Sequence, residues 1–397
     1  MTLLPPPPPI ESAWQSVLED ALHRPVAPRA LGVMVERMSA RYRGEPVVLA
    51  ASDELAARAL FWFPRDLPKV HRAVMELVRA GALPARPLRV LDLGAGLGAT
   101  SLGLLRALPA PHRVAEVTVV DRDPRALELL GRIASRAAKA GLVPEGVTFH
   151  SLTRDLAAPD WDAALGTYDL VLAGLSLVEV AQATADTEEA RGAVIAERVR
   201  AILPHVAPDG ALILLEPGNR HETRALHHAR DAVIASGATV FSPCLHARPC
   251  PMLAGERDWC HEDLADYSLP PWLIPVAKSA GLRWEGLTWS YLVLRHDART
   301  LRAALEPAGR IALRVVSNPI ETKGKCELFL CGDVPGERAL RRVMELEREA
   351  KRARDPRLAS LARGDLVHAA PEDFSGDPAK VTRLAPGQWS RIDPRAE

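Results

Sequence analysis

Val90-Leu-Asp-Leu-Gly-Ala-Gly-Leu-Gly-Ala-Thr100 decides the fold. An apolar strand runs into Asp92, glycines follow at Gly94, Gly96 and Gly98, and a helical pattern opens near Thr100. Glycines permit a sharp turn and close approach of a ligand to the main chain. The helix start supplies unpaired N–H groups and the positive end of a dipole. Asp121 closes the next apolar run and is placed to take ribose hydroxyls. Asp155, after the third run, is a weaker candidate for an adenine amine. The glycine spacing also lies close to the dinucleotide pattern, so a nicotinamide cofactor competes with S-adenosylmethionine. Asp92 favours the latter, because a carboxylate there suits the ammonium of a methionine moiety and repels a pyrophosphate.

Outward from this loop, strands are predicted at Leu88–Leu93, Glu116–Asp121, Val147–Leu152, Tyr168–Ala173 and Ala211–Glu216, with helical spacers between them. Such alternation predicts a doubly wound parallel sheet. Residues 10–83 read as helical, after a proline run at 5–9. A helix at 220–236 leads into a loop-rich segment, 241–275, with three cysteines and six prolines. Strand signals return at Leu287–Arg295, Arg310–Val316 and Cys326–Cys331, placed as final strands of the same sheet. From Glu337 the reading is a charged helix to about Arg354, then a polar tail. The expected organisation is a lead-in and helical region (1–83), a Rossmann-like core (84–236), a cysteine-rich metal-binding insertion (237–275), remaining strands (276–336), and the charged helix and tail (337–397).

The chain has 397 residues, a formal net charge of zero and 48% hydrophobic residues. This composition is that of a globular protein without global attraction to nucleic acid, so any RNA contact must be local. No uncharged apolar run reaches membrane-spanning length, and the Met1-Thr-Leu-Leu-Pro start lacks the pattern of a secretory signal. Five cysteines do not make a disulfide scaffold, so a reducing cytoplasm is expected. The sequence does not fix the oligomeric state, and a monomer is the default expectation.

Cys244, Cys250 and Cys260 crowd one proline-rich segment, and Cys326 and Cys331 follow much later. Four clustered thiolates suit zinc or an iron–sulfur cluster. The loose spacing leans towards the larger group, His246 and His261 keep a mixed zinc site open, and spacing alone does not rank Cys326 against Cys331. The competing reading is of cysteines as small buried hydrophobes.

Possible reaction chemistry is less legible. The segment Ala173-Gly-Leu-Ser-Leu-Val-Glu-Val180 lacks the Asn/Asp-Pro-Pro-aromatic signature that positions an amine, Glu179 reads best as a helix-surface glutamate, and Glu216 precedes a Pro-Gly turn. No residue is assigned as a general base. Residues 338–357 hold eight Arg or Lys against four Asp or Glu, which reads as a solvated helix face or as a phosphate-binding stripe.

Several blocks together resemble the methyltransferase-like proteins of the small ribosomal subunit, the mitochondrial assembly factors and their bacterial relatives. They are Ser39-Ala-Arg-Tyr-Arg43, Asp53-Glu-Leu-Ala-Ala-Arg-Ala-Leu60, the glycine loop, Leu215-Glu-Pro-Gly218 and Pro243-Cys-Leu-His246 through Cys250. Asp258-Trp-Cys-His261, Trp289-Ser-Tyr-Leu-Val-Leu294 and Gly324-Lys-Cys-Glu-Leu-Phe-Leu-Cys331 complete the set. The resemblance implies an S-adenosylmethionine-type fold carrying a four-cysteine 4Fe–4S cluster, ligated by Cys244, Cys250, Cys260 and Cys331, with Cys326 the extra thiol. It also implies contact with the small ribosomal subunit and its rRNA, in assembly or translation, with or without methyl transfer. Leu245, Glu262 and Arg363 depart from the family's usual residues at their positions. The alternative function is a zinc-containing methyltransferase of a small molecule or protein.

Overall fold

Five of the six residues in Leu88–Leu93 are buried, as expected for a strand covered on both faces. A computed structural model describes residues 6–351 and 357–392; Pro5 and the expected helix beyond residue 351 therefore lie partly outside it. Leu88–Leu93 is β1, followed by β2 (Val114–Asp121), β3 (Thr148–Thr153), β4 (Tyr168–Gly174) and β5 (Val206–Pro217). Then come β6 (Thr239–Ser242), β7 (Glu262–Ser268) and β8 (Glu285–Arg295). The first sheet has the order β3-β2-β1-β4-β5-β8-β6, with β7 beside β8. Strands β1 to β5 are parallel, and β8 runs antiparallel to its neighbours β5, β6 and β7.

Leu88 and Val90 enter the core shared with the N-terminal helices, whereas Leu91 and Leu93 enter the core on the opposite face. This is the period-two alternation of a strand. The N-terminal helices Ala13–Leu22, Pro28–Tyr42, Ala51–Ala57 and His71–Arg79 cover the first face, with Trp14 and Phe63 in ring contact at 5.4 Å. Helices Glu188–Ile202 and Arg220–Ala235 pack on the second. The chain leaves β1 towards β2 and β3 and later returns to β4 on the other side of β1. That reversal opens a crevice at the carboxyl ends of the strands.

Two sequence expectations fail beyond β8. The strands β9 (Ile311–Val315), β10 (Ile320–Thr322), β11 (Lys325–Gly332), β12 (Leu340–Leu346), β13 (Leu366–Ala369), β14 (Thr382–Arg383) and β15 (Trp389–Arg391) form a separate sheet. Its order is β14-β12-β11-β9-β13-β15, with β10 beside β11, so β9 and β11 do not finish the first sheet. The charged helix expected from Glu337 is instead β12, paired antiparallel with β11, followed by a single turn at Glu347–Ala350. The inward-facing residues of β12 include Arg341 and Glu345 beside Val343, so buried charges disguise the strand period. The second sheet has its own core around Leu313, Leu328, Leu330, Val343 and Phe374.

Candidate functional site

The glycine loop leaves β1 with Gly94, Gly96 and Gly98 at φ +68°, +53° and +81°, a region side-chain-bearing residues rarely adopt. Space is also closed: a Cβ on Gly94 would lie 2.3 Å from the Ser176 Cβ, and one on Gly96 would lie 2.7 Å from an Arg58 guanidinium nitrogen. The helix Ala99–Ala107 begins immediately after Gly98. Asp121, ending β2, accepts the Gly96 N–H at 2.8 Å and the Asp123 N–H at 2.9 Å, which ties the loop to the second strand. Asp155 accepts the Ala157 N–H at 2.9 Å.

Gly94, Asp121 and Asp155 line one open cleft of about 840 Å³. A smaller chamber of about 120 Å³ adjoins it against Gly94-Ala-Gly-Leu97, so Gly96 also faces the cleft region. Gly98 and Asp92 line neither space. Gly98 turns the chain into the helix, above Leu130. Asp92 is 1% exposed, and Ser101 is close enough to act on its carboxylate without a hydrogen bond of ordinary geometry to either oxygen. Burial pushes its carboxyl up to about 7, and the neighbouring Ser101 offsets only part of that effect. Sequence reasoning gave Asp92 direct contact with a ligand ammonium; the structure puts it beneath the loop.

Other groups around the cleft come from unexpected places. Arg41, Tyr42, Glu54 and Arg58 reach it from the N-terminal helices. The sequence blocks at 39–43 and 53–60 marked these residues, without assigning them a role. Glu179 lines both spaces, so it belongs to the cleft wall rather than to a remote helix surface. Glu216 is fully buried away from it, accepts the Val178 N–H at 3.2 Å, and is raised well above the usual carboxylate range by burial.

The cysteines form a second locus. Cys244, Cys250, Cys260 and Cys331 all line one cavity of about 50 Å³ between the two sheets, together with His246 and His261. Cys326 does not. It lies in the core of the second sheet, because an odd separation from Cys331 on β11 sends the two side chains to opposite faces. The cysteines are free thiols. Burial, then the neighbouring Cys244, pushes the Cys260 thiol up to about 12, and burial with Cys244, Cys260 and Cys250 raises Cys331 well above the usual thiol range. Mutual influence of this kind places four sulfurs in one neighbourhood. No group of three or more His, Cys, Asp or Glu side chains among the described residues stands in metal-holding geometry, however.

One helix face organises this locus. From Arg220–Ala235, Arg224 donates to the carbonyls of Met252, Gly255 and Asp258 at 2.8–2.9 Å. His227 Nε2 accepts the Cys260 N–H at 3.0 Å, and Asp231 accepts the Cys250 N–H at 2.9 Å. Burial drives the His227 ring down to about 3, so it is neutral and can accept. Arg230 holds the carbonyls of His246 and Arg248. Arg248 itself bonds Gly336 O, Val334 O and Asp333 just past β11, which fastens the cysteine loop to the second sheet. His246 Nε2 lies 3.4 Å from the Cys331 sulfur. Burial lowers His246 to about 3 and His261 to about 4, leaving both rings neutral.

An open sheet of five parallel strands, reversing beside β1 and carrying a glycine loop at the crevice, defines the doubly wound class of nucleotide-binding folds. Residues 50–355 match the family model described as "mitochondrial small ribosomal subunit Rsm22", and the chain belongs to this family. No curated protein matches the chain. Among solved structures, magnesium protoporphyrin IX methyltransferase from Synechocystis, with bound S-adenosylmethionine, is 20% identical over 66% of this chain and 90% of its own, at a TM-score of 0.33. An S-adenosylmethionine-dependent methyltransferase from Agrobacterium tumefaciens is 15% identical over 58% and 62%, at a TM-score of 0.34.

Proposed function

We propose that this protein is an S-adenosylmethionine-binding, methyltransferase-like factor of the small ribosomal subunit that carries a metal centre on Cys244, Cys250, Cys260 and Cys331. Family membership supports the ribosomal assignment. The cofactor reading is supported by a glycine-walled cleft with Asp121 and Asp155 at the strand ends, where hydroxyls and an amine of a nucleoside find acceptors. The observation that carries the metal reading is the arrival of four sulfurs, from a loop of the first sheet and a strand of the second, at one cavity.

The donor set fits a soft metal, since thiols are favoured by zinc and iron–sulfur centres. A cavity of about 50 Å³ exceeds the roughly 10–15 Å³ that one water occupies, which favours a cluster over a lone ion. Zinc is the second reading, favoured by the neutral His246 and His261 rings on the same walls. Either centre would supply a cross-link between the sheets, with the helix Arg220–Ala235 fixing the backbone of its ligands.

Within the cleft, the loop N–H groups, Arg58 and Glu179 would hold the cofactor, and the N-terminal helices would exclude water from one side. Methyl transfer to rRNA is the expected activity if the bound cofactor is consumed; binding without transfer describes an assembly or translation factor.

Anaerobic purification followed by iron, sulfide and zinc analysis tests the centre. Iron and sulfide in equal amounts are expected, and a colourless zinc protein would select the second reading. Absence of any bound metal would remove the centre. Co-sedimentation with small ribosomal subunits, with and without methylation of their RNA, tests the partner and the activity separately.

A further inference from the structure

The two cleft spaces share Tyr42, Arg58, Gly94, Leu175 and Glu179 as lining residues and lie side by side as two unequal chambers. Asp121 and Asp155 face only the larger chamber. The smaller one has a different character. One wall is the glycine-loop backbone leading into the helix Ala99–Ala107, and the opposite wall comes from the N-terminal region.

Arg58 stands in that opposite wall, at the start of the π-helical turn Arg58–Trp62. Such turns interrupt a helix locally and recur at functional sites. Its guanidinium reaches 2.7 Å from the position a Gly96 Cβ would occupy. Its one ion pair among the described residues, with Asp123, spans 4.0 Å and is longer than a hydrogen bond. Facing it are Glu179 and Asp66, of which Asp66 is engaged by Lys69 at 2.6 Å. A nearly uncommitted cation and a carboxylate thus share a chamber of about 120 Å³ with the amino end of a helix.

We propose that the smaller chamber seats a zwitterionic α-amino-acid group, with Arg58 binding its carboxylate and Glu179 its ammonium. This rests on the reading of the cleft as an S-adenosylmethionine site and names the residues that recognise the amino-acid half. The nucleoside half then occupies the larger chamber, beside Asp121 and Asp155. The assignment moves the ammonium partner from Asp92, which is sealed beneath the loop, to Glu179, which opens to the cleft. It also makes the N-terminal helical region part of the ligand site, where it selects nucleosides that carry an amino acid over those that do not.

Calorimetric titration of the full chain with S-adenosylhomocysteine and with 5′-methylthioadenosine, which lacks the amino-acid group, tests this. The native protein should bind the first about tenfold or more tighter, the scale of one charge-assisted bond. Arg58→Met should remove that preference while leaving methylthioadenosine within about twofold, and Arg58→Lys should restore part of it. Equal affinity of the native protein for both ligands would overturn the proposal even if no variant folds. Equal loss of both ligands in a folded Arg58→Met, or loss of neither, would also overturn it. Binding of neither ligand to the native chain would instead sink the cofactor reading itself, and this proposal with it.

Discussion

Arg314 of β9 sets its Nη2 2.8 Å from Glu76 Oε1, and both side chains are almost wholly buried. Glu76 belongs to the last N-terminal helix before β1, so this pair joins the second sheet to the base of the first. Tyr291 donates its hydroxyl to the other Glu76 oxygen at 2.8 Å, and Arg314 also donates to Pro243 O at 2.8 Å and Gly364 O at 3.1 Å. Arg72 reaches Gly364 O as well and lies 3.6 Å from Glu76. Two cations and two carboxylates, with Glu262 as the fourth member, therefore lie close beside the cysteine cavity, two of them on its wall.

Removing one partner of such a buried pair leaves an uncompensated charge and costs about 3–5 kcal/mol. Glu76→Gln should lose stability of this order in urea denaturation. Glu76→Leu combined with Arg314→Met should lose less than either single change. A fully additive double variant would show that the two residues are not energetically coupled.

Asp92 gives a pH dependence. Its folded value, about 7, lies above the ordinary 3.8, so the neutral form is favoured by the fold. Its contribution to stability is present below pH 3.8 and is lost as pH rises towards 7. Asp92→Asn should therefore match the native protein near pH 3.5 and exceed it at pH 8, by up to a few kcal/mol at about 1.4 kcal/mol per unit. Unfolding curves at the two values check the sign. A variant equally affected at both would show that the carboxyl is not the titrating group.

Gly103 sits in the helix Ala99–Ala107, and a Cβ there would lie 2.1 Å from the Leu67 carbonyl oxygen. Alanine gains about 1 kcal/mol of helix propensity over glycine. Overpacking against backbone costs about 1–3 kcal/mol. The clash should win, and Gly103→Ala should melt at a lower temperature than the native chain.

The cavity separates the two cysteines of β11. Cys331→Ser should lower the bound metal per chain, whereas Cys326→Ser should leave it unchanged. Arg224→Met releases three loop carbonyls and should also lower metal content, without weakening nucleoside binding in the cleft, whose walls Arg224 does not line. Equal metal in all three variants would remove the proposed ligand set.

The parallel half of the fold was legible because β1, β2, β4 and β5 are buried apolar runs punctuated by glycine and proline. The glycine loop was legible for the same local reason, and Gly94, Gly96, Asp121 and Asp155 do meet at the crevice. The second sheet was hidden. Arg341 and Glu345 occupy inward positions on β12, so its hydrophobic period is broken by residues whose burial depends on tertiary contacts. The N-terminal wall of the cleft was also hidden, since Arg58 meets Gly96 across a long stretch of chain that local patterns do not span. Parity on one strand separates Cys326 from Cys331, but which of them faces the other cysteines was not legible in the spacing, because that depends on how the second sheet packs against the first.

The cavity wall supplied by β11 also dictates an order of events during synthesis. A chain emerging from its own ribosome has presented every residue that lines the crevice once Thr184 has appeared. The sulfur of Cys331 arrives much later, on a strand that pairs with β12, which is made later still. A truncated or nascent product ending before Leu340 would hold every crevice-lining residue but lack Gly364 of the thiol chamber, so any inorganic guest could be enclosed only as a last step of maturation.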